Sequence, residues 1–545
     1  MQQNLKEERR TPCAQKYWHE RRYVKAVLSF IKDWLLYPFK HDLLYFMLLW
    51  VIISLPNCYS QRNHIVYVLY LAMMYYLITY VIVLALNVYT KVAKVLKPAM
   101  LLLAALVALL NIYCYNFYGC LLSNDFVQII AGTNMDEAKE YFETFVSWEW
   151  GVLFTMGIAI SVSVAMMLSR LQKVHLGKLW VGAIVMLLLS IVAIGYNSGI
   201  LQEEFVNKHR WTFNFEEVVD LRNHSVNPQI ERTAAGQIEQ IVIILGESFS
   251  PGHSSLYGYE KETNPLLSEK AEKGNLLVFH EVKSPCTSTT AAFKYLLNTF
   301  QVGKEDGEPW YKHANIIEVM KKAGYYVEWI SNQSEIGMFD NLPSGHARIC
   351  DDKFFLGNEE GADRYDGGLI GRSNAAEERK NLVIYHLMGQ HVTFQERYPK
   401  EYEHFKKDDY KANPEHQREI LAAYDNATLY NDFVVSSLID LYKEKDAIVF
   451  YFSDHGLDVF DTDPHYFGHA KATEASQKQG KKIPFMIYVS PLFKELHAEI
   501  VDRMRIASDK PFCTDKFIYA VMDVAGYRFA DNDDVEKYSL FRNGQ

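Results

Sequence analysis

Five long apolar stretches, all placed before residue 197, constrain this chain more than any other feature of its 545 residues. They lie near 42–57, 65–89, 97–117, 150–170 and 178–196, each long and apolar enough to cross a hydrocarbon core of roughly 30 Å. Pro56 and Asn57 end the first stretch early, yet 43–55 holds no charge, and tilt or local thinning of a bilayer accommodates the shortfall. Beyond residue 197 the composition is that of a soluble protein, so the 49% hydrophobic content is an average over two unlike halves. A chain of this length exceeds what one core organises. The segmentation predicts an N-terminal segment 1–41, an all-α transmembrane domain 42–197 of five helices, a linker 198–235 near the membrane surface, and a globular domain 236–545.

Loop charges orient the spans, because Lys and Arg accumulate on the cytoplasmic side. The N-terminal segment is basic through Lys6, Arg9, Arg10, Lys16, Arg21, Arg22, Lys25 and Lys32. The second loop carries Lys91, Lys94 and Lys97, and the fourth Arg170, Lys173 and Lys178. The first loop has only Arg62, and the third sets Asp125, Asp136, Glu137, Glu140 and Glu143 against Lys139. An odd number of spans then delivers the globular half to the outer face. Basic residues fill the first forty positions with no short apolar core and cleavage site after them, so no cleavable signal peptide is expected. The third loop, from Asn124 to Glu149, is too long for a simple turn. Its Phe142, Phe145 and Trp148 suit contact with lipid head groups as well as ordinary interfacial anchoring.

The net charge of −10, with no clustered basic face, excludes a nucleic-acid binder. Seven cysteines without C-x-x-C spacing exclude zinc-ribbon and thioredoxin-like readings and leave the redox compartment open. In the globular half, short β-rich runs occur at Ile241–Leu245, Leu276–Val282, Tyr325–Ile330, Leu382–Leu387, Ala447–Phe452 and Pro484–Val489. Most are too apolar for half-exposed edges and read as buried parallel strands. Helical patterns at Asn315–Ala323 and Gln417–Tyr442 alternate with them, which predicts an α/β domain with helices on both faces of the sheet. Ligands of such sheets gather at the carboxyl ends of the strands.

Three sequences sit at those ends. In Ile243-Ile244-Leu245-Gly246-Glu247-Ser248 an apolar strand runs into a carboxylate; in Phe450-Tyr451-Phe452-Ser453-Asp454-His455-Gly456 another runs into an Asp-His pair. The third, Ser284-Pro285-Cys286-Thr287-Ser288-Thr289-Thr290-Ala291-Ala292-Phe293, is a hydroxyl-rich turn entering a helix. Glu, Asp and His together offer oxygen and imidazole ligands suited to zinc, and a hydroxyl from the turn is a candidate fourth. A metal-bound hydroxyl loses its proton more readily and becomes a nucleophile, and a helix N-terminus behind it favours a phosphate.

Gly246-Glu247-Ser248 followed by Leu256-Tyr257-Gly258-Tyr259-Glu260-Lys261-Glu262-Thr263-Asn264-Pro265, with the later Ser453-Asp454-His455-Gly456, resembles the bacterial phosphoethanolamine transferases across nearly the whole chain. The resemblance implies five membrane helices followed by a three-layer α/β domain of alkaline phosphatase and sulfatase type, periplasmic, on an inner-membrane anchor with a cytoplasmic N-terminus. It implies transfer of phosphoethanolamine from phosphatidylethanolamine, through a phosphothreonine, to an envelope acceptor, with lipid A or a lipopolysaccharide core sugar expected first and another glycan or a protein left open. Counting within the family's Cys-x-x-x-Thr-Ala pattern makes Thr290 the nucleophile, with Thr289 the alternative. Glu247, Asp454, His455 and Thr290 become ligands of one zinc ion, with a second ion an open question. His391 in Met388-Gly389-Gln390-His391 and His469 in Phe467-Gly468-His469-Ala470 resemble the family's phosphate-facing histidines, and His386 is a weaker candidate. Thr133 and Glu137 fit an Asn-x-x-x-Thr-x-x-x-Glu pattern for the ethanolamine head group, and Ser334 fits another substrate-side position.

The chain departs from the family in places. Position 129 is Ile where the pattern has Asn, the basic residue expected shortly after Ser334 is absent from Glu335-Ile336-Gly337, and Leu296 leaves Cys286 without its usual neighbour. Asp454-His455-Gly456 continues with Leu457-Asp458 where Glu is usual, which nominates Asp458 as a replacement by a one-residue shift. A sulfatase would need a Pro two residues and an Arg four residues after its modified Cys or Ser, and Cys286 is followed by Ser288 and Thr290. Two other readings remain: a lipoteichoic acid synthase-like enzyme moving glycerol phosphate, and a non-catalytic membrane sensor on a degenerate hydrolase fold.

Overall fold

Strands whose every residue is apolar can sit only between two covered faces, and this dictates the architecture of the second half. The structure is a computed structural model that describes residues 12–88, 90–122, 135–170, 179–196, 226–233, 238–304, 307–333, 335, 342–358, 364–376, 378–469 and 471–542. Its main sheet has seven strands: β1 (Gln240–Gly246), β2 (Leu276–Phe279), β3 (Tyr326–Ser331), β4 (Asp352–Phe355), β5 (Asn381–His386), β6 (Ala447–Ser453) and β7 (Phe485–Val489). Their spatial order is β2-β7-β6-β1-β5-β3-β4. Side chains leave a strand alternately to opposite faces. Ile241, Ile243 and Leu245 of β1 thus join one core with Ile448, Phe450 and Phe452 of β6 and with Ile316, Val319 and Phe517 of covering helices. Val242 and Ile244 join the other, with Val449, Tyr451, Leu267, Val434 and Leu438. Burying an aliphatic or aromatic side chain of this kind contributes roughly 1.5–3 kcal/mol, so both faces hold the three layers together.

The strands β6, β1, β5, β3 and β4 are mutually parallel. The expectation of parallel strands fails at one edge, where β7 runs antiparallel to both β6 and β2. Burial on two faces is compatible with either direction, so composition could not decide it. The expected run Leu276–Val282 divides: β2 stops at Phe279, and Val282–Lys283 pairs in parallel with Phe512–Cys513 in a separate two-stranded sheet. The strand β4 is absent from the sequence reading, because an edge strand of four residues with Asp352 and Lys353 lacks an apolar run. Both anticipated helices form, at Ile316–Lys322 and Glu415–Asp440. The first starts at a capping box in which the Asn315 side chain accepts from the Glu318 N–H while the Glu318 carboxylate reaches back.

Ahead of this domain the described residues form α1 (Pro12–His41), α2 (Leu43–Ser60), α3 (Ile65–Leu86), α4 (Thr90–Tyr118), α5 (Met135–Phe145), α6 (Trp148–Arg170) and α7 (Leu179–Tyr196). Among the described residues three are long and apolar enough to cross a membrane: Leu43–Ser60, Ile65–Leu86 and Val92–Tyr118. The apolar helical portions Trp148–Ile160 and Val181–Gly195 are shorter. Each of the five apolar stretches thus falls on a helix, and three of these reach spanning length among the described residues. The helices α1 and α5 lie outside the five apolar stretches, because hydropathy alone does not report helix. The chain packs into two units. The first holds 1–116, 120–123 and 147–210, and the second 117–119, 124–146 and 211–545. Within the first, Phe39, Phe46, Leu49, Tyr76 and Val83 form a common core, and Asp42 accepts from Asn87 at 2.8 Å and pairs with Lys97. Within the second, α5 belongs with the sheet domain.

Candidate active site

Register places the acidic residues. Leu245 stands opposite Phe452 and Gly246 opposite Ser453 in the parallel pair β1/β6, so the next residues, Glu247 and Asp454, leave neighbouring strands at the same edge. The Asp454 N–H donates to the Gly246 carbonyl at 3.1 Å and continues the ladder by one rung. On the other side Leu245 faces His386 in β5, and the loop after β5 folds back so that the Gln390 N–H reaches the Glu247 carbonyl at 3.0 Å. That loop requires glycine at 389. Its φ is +51°, and a Cβ there would lie 2.8 Å from the Glu247 carbonyl oxygen and 2.9 Å from the Glu247 nitrogen. Asp366 fixes the same loop by accepting the N–H groups of Met388 and Gly389, each at 2.8 Å.

Glu247, Asp454 and His455 are fully buried, and one ligand atom from each lies within 4.8 Å of the others. His455 Nδ1 faces the Gly456 carbonyl at 2.9 Å, and because a carbonyl only accepts, Nδ1 carries the proton. Nε2 is then turned to the cluster, 3.1 Å from Glu247 Oε1 and 3.6 Å from Asp454 Oδ2. A ring lone pair aimed at two carboxylates is repulsive unless a cation lies between them. Asp454 Oδ2 is buried and makes no hydrogen bond among the described residues. Without a metal a proton must fill that role. Burial works against a charged imidazole, but the Asp454 and Glu247 charges outweigh it and raise His455 to about 9. Burial, together with the Glu247 charge, raises Asp454 to about 7. Burial would also raise Glu247, yet the His455 charge and hydrogen bond hold it well below the usual carboxylate range. This donor set fits zinc: two carboxylates, an imidazole with its far nitrogen anchored to a backbone carbonyl, and a hydroxyl beside them.

That hydroxyl belongs to Thr289. Its Oγ1 donates to Glu247 Oε2 at 3.0 Å and stands 3.3 Å from His455 Nε2. Thr290, expected as nucleophile and ligand, lies one position further on, and among the described residues its hydroxyl bonds to neither group. The difference between the two hydroxyls has a geometric cause. The turn enters the single helical turn Thr289–Ala292 at Thr289, and consecutive helical residues point about 100° apart, so only one of two adjacent hydroxyls can face the cluster. Four residues also make too short a helix to supply the dipole anticipated behind a phosphate.

The remaining expectations divide. The His469 ring lies 4.5 Å from that of His455, and burial together with the His455 charge lowers it to about 3. His391 stands 3.7 Å from Glu140 on α5, and its charge is felt at both Glu247 and His469. His386 ends β5 with Nδ1 3.3 Å from the Ser331 hydroxyl, and burial lowers it to about 4, so it is a core residue. Asp458 does not turn to the cluster: its oxygens accept from the Asp461 and Thr462 N–H groups and the Thr462 hydroxyl, closing its own turn. Thr133 and Ser334 lie outside the described residues, and Glu137 falls in the first turn of α5. Two neighbours of Glu247 went unread in the sequence. Ser248, at φ +57°, donates to Glu247 Oε1 at 2.8 Å, and Gln333 Nε2 lies 3.1 Å from the Leu387 carbonyl and 3.5 Å from Glu247 Oε2. A serine after a strand-end glutamate was a visible signal for the first. Nothing in the local sequence marks the second.

Comparison with known proteins agrees with this geometry. The sulfatase family pattern matches residues 239–527. The chain is 26% identical over 458 residues to phosphoethanolamine transferase EptC of Escherichia coli O18:K1:H7 (strain RS218 / NMEC), covering 77% of this chain and 78% of that protein. The crystal structure of the periplasmic domain of E. coli EptC in complex with zinc matches with a TM-score of 0.52 and 26% identity, over 59% of this chain and 91% of that domain. The integral membrane protein lipooligosaccharide phosphoethanolamine transferase A of Neisseria meningitidis shares the fold over 91% of this chain and 97% of its own, with a TM-score of 0.61 at 17% identity. The fold, the acidic cluster at the strand ends and a match across more than half the chain agree: this protein belongs to the sulfatase family.

Proposed function

We propose that the chain is a membrane-bound phosphoethanolamine transferase that carries phosphoethanolamine from phosphatidylethanolamine to an envelope glycolipid, lipid A or a lipopolysaccharide core sugar, with Thr289 rather than Thr290 as nucleophile. The observation that carries this reading is the Thr289 hydroxyl held 3.0 Å from Glu247 and 3.3 Å from His455 in a buried acidic cluster. The likeness to EptC supports the group transferred, and the zinc complex of the E. coli domain supports the metal. Glu247, Asp454 and His455 would hold zinc with Thr289 as fourth ligand. Bound there, zinc lowers the pKa of a coordinated hydroxyl and polarises a phosphoryl oxygen.

The residues then act as follows. Thr289 Oγ1 attacks phosphorus, and its proton passes to Glu247 Oε2, which already accepts its hydrogen bond. The new O–P bond forms as the bond to the diacylglycerol oxygen breaks, and His391 gives that oxygen a proton. Diacylglycerol leaves and phosphoethanolamine remains esterified to Thr289. An acceptor hydroxyl attacks the same phosphorus, its proton returns to His391, and Thr289 recovers its own from Glu247. His469, against His455, serves as a phosphate-side partner. Thr133, Glu137 and Ser334 are proposed on the donor side, the Glu137 carboxylate meeting the ammonium. The loop charges support a cytoplasmic N-terminus and a periplasmic catalytic domain.

The test is mass spectrometry of tryptic peptides after detergent-solubilised, zinc-loaded protein meets phosphatidylethanolamine. A phosphoethanolamine adduct on the Thr289-containing peptide, lost in Thr289→Ala and kept in Thr290→Ala, is the expected result. An adduct only from phosphatidylglycerol would replace the donor, and adducts from neither lipid would favour a non-catalytic protein.

A further inference from the structure

Glu140 lies on α5, in the segment between two apolar helices, yet its carboxylate belongs to the catalytic unit. Oε1 is ion-paired with Arg397, whose side chain is only 6% exposed, and Oε2 stands 3.7 Å from His391 Nδ1. The helix is pinned beside this contact at two more places. The Thr144 and Thr393 hydroxyls are 3.2 Å apart, and the Phe145 ring stacks on Phe467 with centroids 5.1 Å apart. A buried arginine needs a counter-charge, and Glu140 provides it while leaving its second oxygen toward the imidazole. Burial works to raise the Glu140 carboxyl, and His391 and Arg397 outweigh it, so the group stays ionised.

We infer that Glu140 is a positioning residue for His391: its carboxylate orients the imidazole through Nδ1 and leaves Nε2 for the phosphoryl group, with Arg397 locking the carboxylate in place. The role rests on the proposed part of His391 in proton transfer. A carboxylate on one imidazole nitrogen fixes the ring's tautomer and stabilises its charged form, which a group that gives and then takes a proton requires. The consequence is that a helix outside the sheet domain's own sequence completes the site, so the protein must be studied as the full chain.

Two measurements on the full-length, zinc-loaded protein test this. Carbethoxylation of His391 by diethyl pyrocarbonate, read by peptide mass spectrometry, needs no lipid. Freeing the ring in Glu140→Gln is expected to speed labelling severalfold, while Thr144→Ala, which cuts a neighbouring contact of the same helix, leaves it as in wild type. No change in Glu140→Gln, or the same rise in Thr144→Ala, overturns the assignment. In turnover of head-group-labelled phosphatidylethanolamine, Glu140→Gln is expected to lower kcat about tenfold with KM within about twofold, as loss of a carboxylate behind a functional histidine does. Glu140→Asp should recover part of the loss, and in a His391→Ala background the Glu140 change should cost nothing more. Additive losses would make Glu140 merely structural. A wild type that consumes no phosphatidylethanolamine would defeat the proposed function, and the labelling at His391 would still decide the role of Glu140.

Discussion

Two carboxylates and an imidazole lone pair packed within 4.8 Å need a positive charge among them, and the site's chemistry follows from which cation fills that place. Zinc binding displaces protons, so affinity should rise with pH, and calorimetry in buffers of different ionisation enthalpy should show proton release. Asp454→Ala should abolish stoichiometric zinc, measured by metal analysis, whereas Thr289→Ala should retain most of it because three ligands remain. The metal-free protein has its own signature. His455 is raised from 6.5 to about 9 and Asp454 from 3.8 to about 7, so both keep protons that the unfolded chain releases earlier. The stability this lends is complete below the unfolded values and is lost as pH climbs through the folded ones. Thermal melts of chelator-stripped protein should therefore fall between pH 6.5 and 9, and zinc should reduce the difference. A melting temperature that rises across that window would contradict the proton-filled cluster.

At the scale of elements, the site is built where loops press on strand ends. Gly389→Ala would drive a Cβ to 2.8 Å from the Glu247 carbonyl at a positive φ, and overpacking of this kind costs about 1–3 kcal/mol. Denaturant unfolding of the variant should show that loss together with weakened zinc binding, because the displaced atoms are those of Glu247 itself. The capping box at Asn315 is remote from the site, so Asn315→Ala should cost about 1 kcal/mol without changing metal content. The sequence made much of this scale readable. Unbroken apolar runs announced β1, β5 and β6, and their ends announced Glu247, Asp454 and His455. It hid the short charged edge strand β4 and the antiparallel direction of β7, since local composition carries no information about a partner strand's direction.

At the scale of the molecule, the three helices of spanning length among the described residues and an adjoining basic pattern tie the first unit to a membrane. If the proposed orientation holds, alkaline phosphatase fused in the loop near Arg62 or beyond residue 226 should be active in the periplasm. A fusion near Lys94 should be inactive. The reverse pattern would put the catalytic domain on the wrong side for an envelope acceptor. The division of the chain into units does not follow its linear order, because 124–146 leaves the apolar region in sequence and joins the catalytic unit in space. A chain shortened to 226–545 would retain Glu247, Thr289, Asp454 and His455 and lose Glu140.

Sequence alone determined the two-part nature of this protein, the α/β class of its second part and the three residues of its acidic cluster, because hydrophobic burial and strand polarity are written in local composition. Tertiary structure alone decided the rest of the site. Which of two adjacent threonines reaches the cluster depends on the angle at which a single helical turn enters it. That Gln333 borders Glu247 and Glu140 borders His391 depends on contacts across 86 and more than 200 residues, as the companion 257-residue span from Glu140 to Arg397 shows. Such contacts are fixed by packing of the whole fold, and no window of sequence contains them.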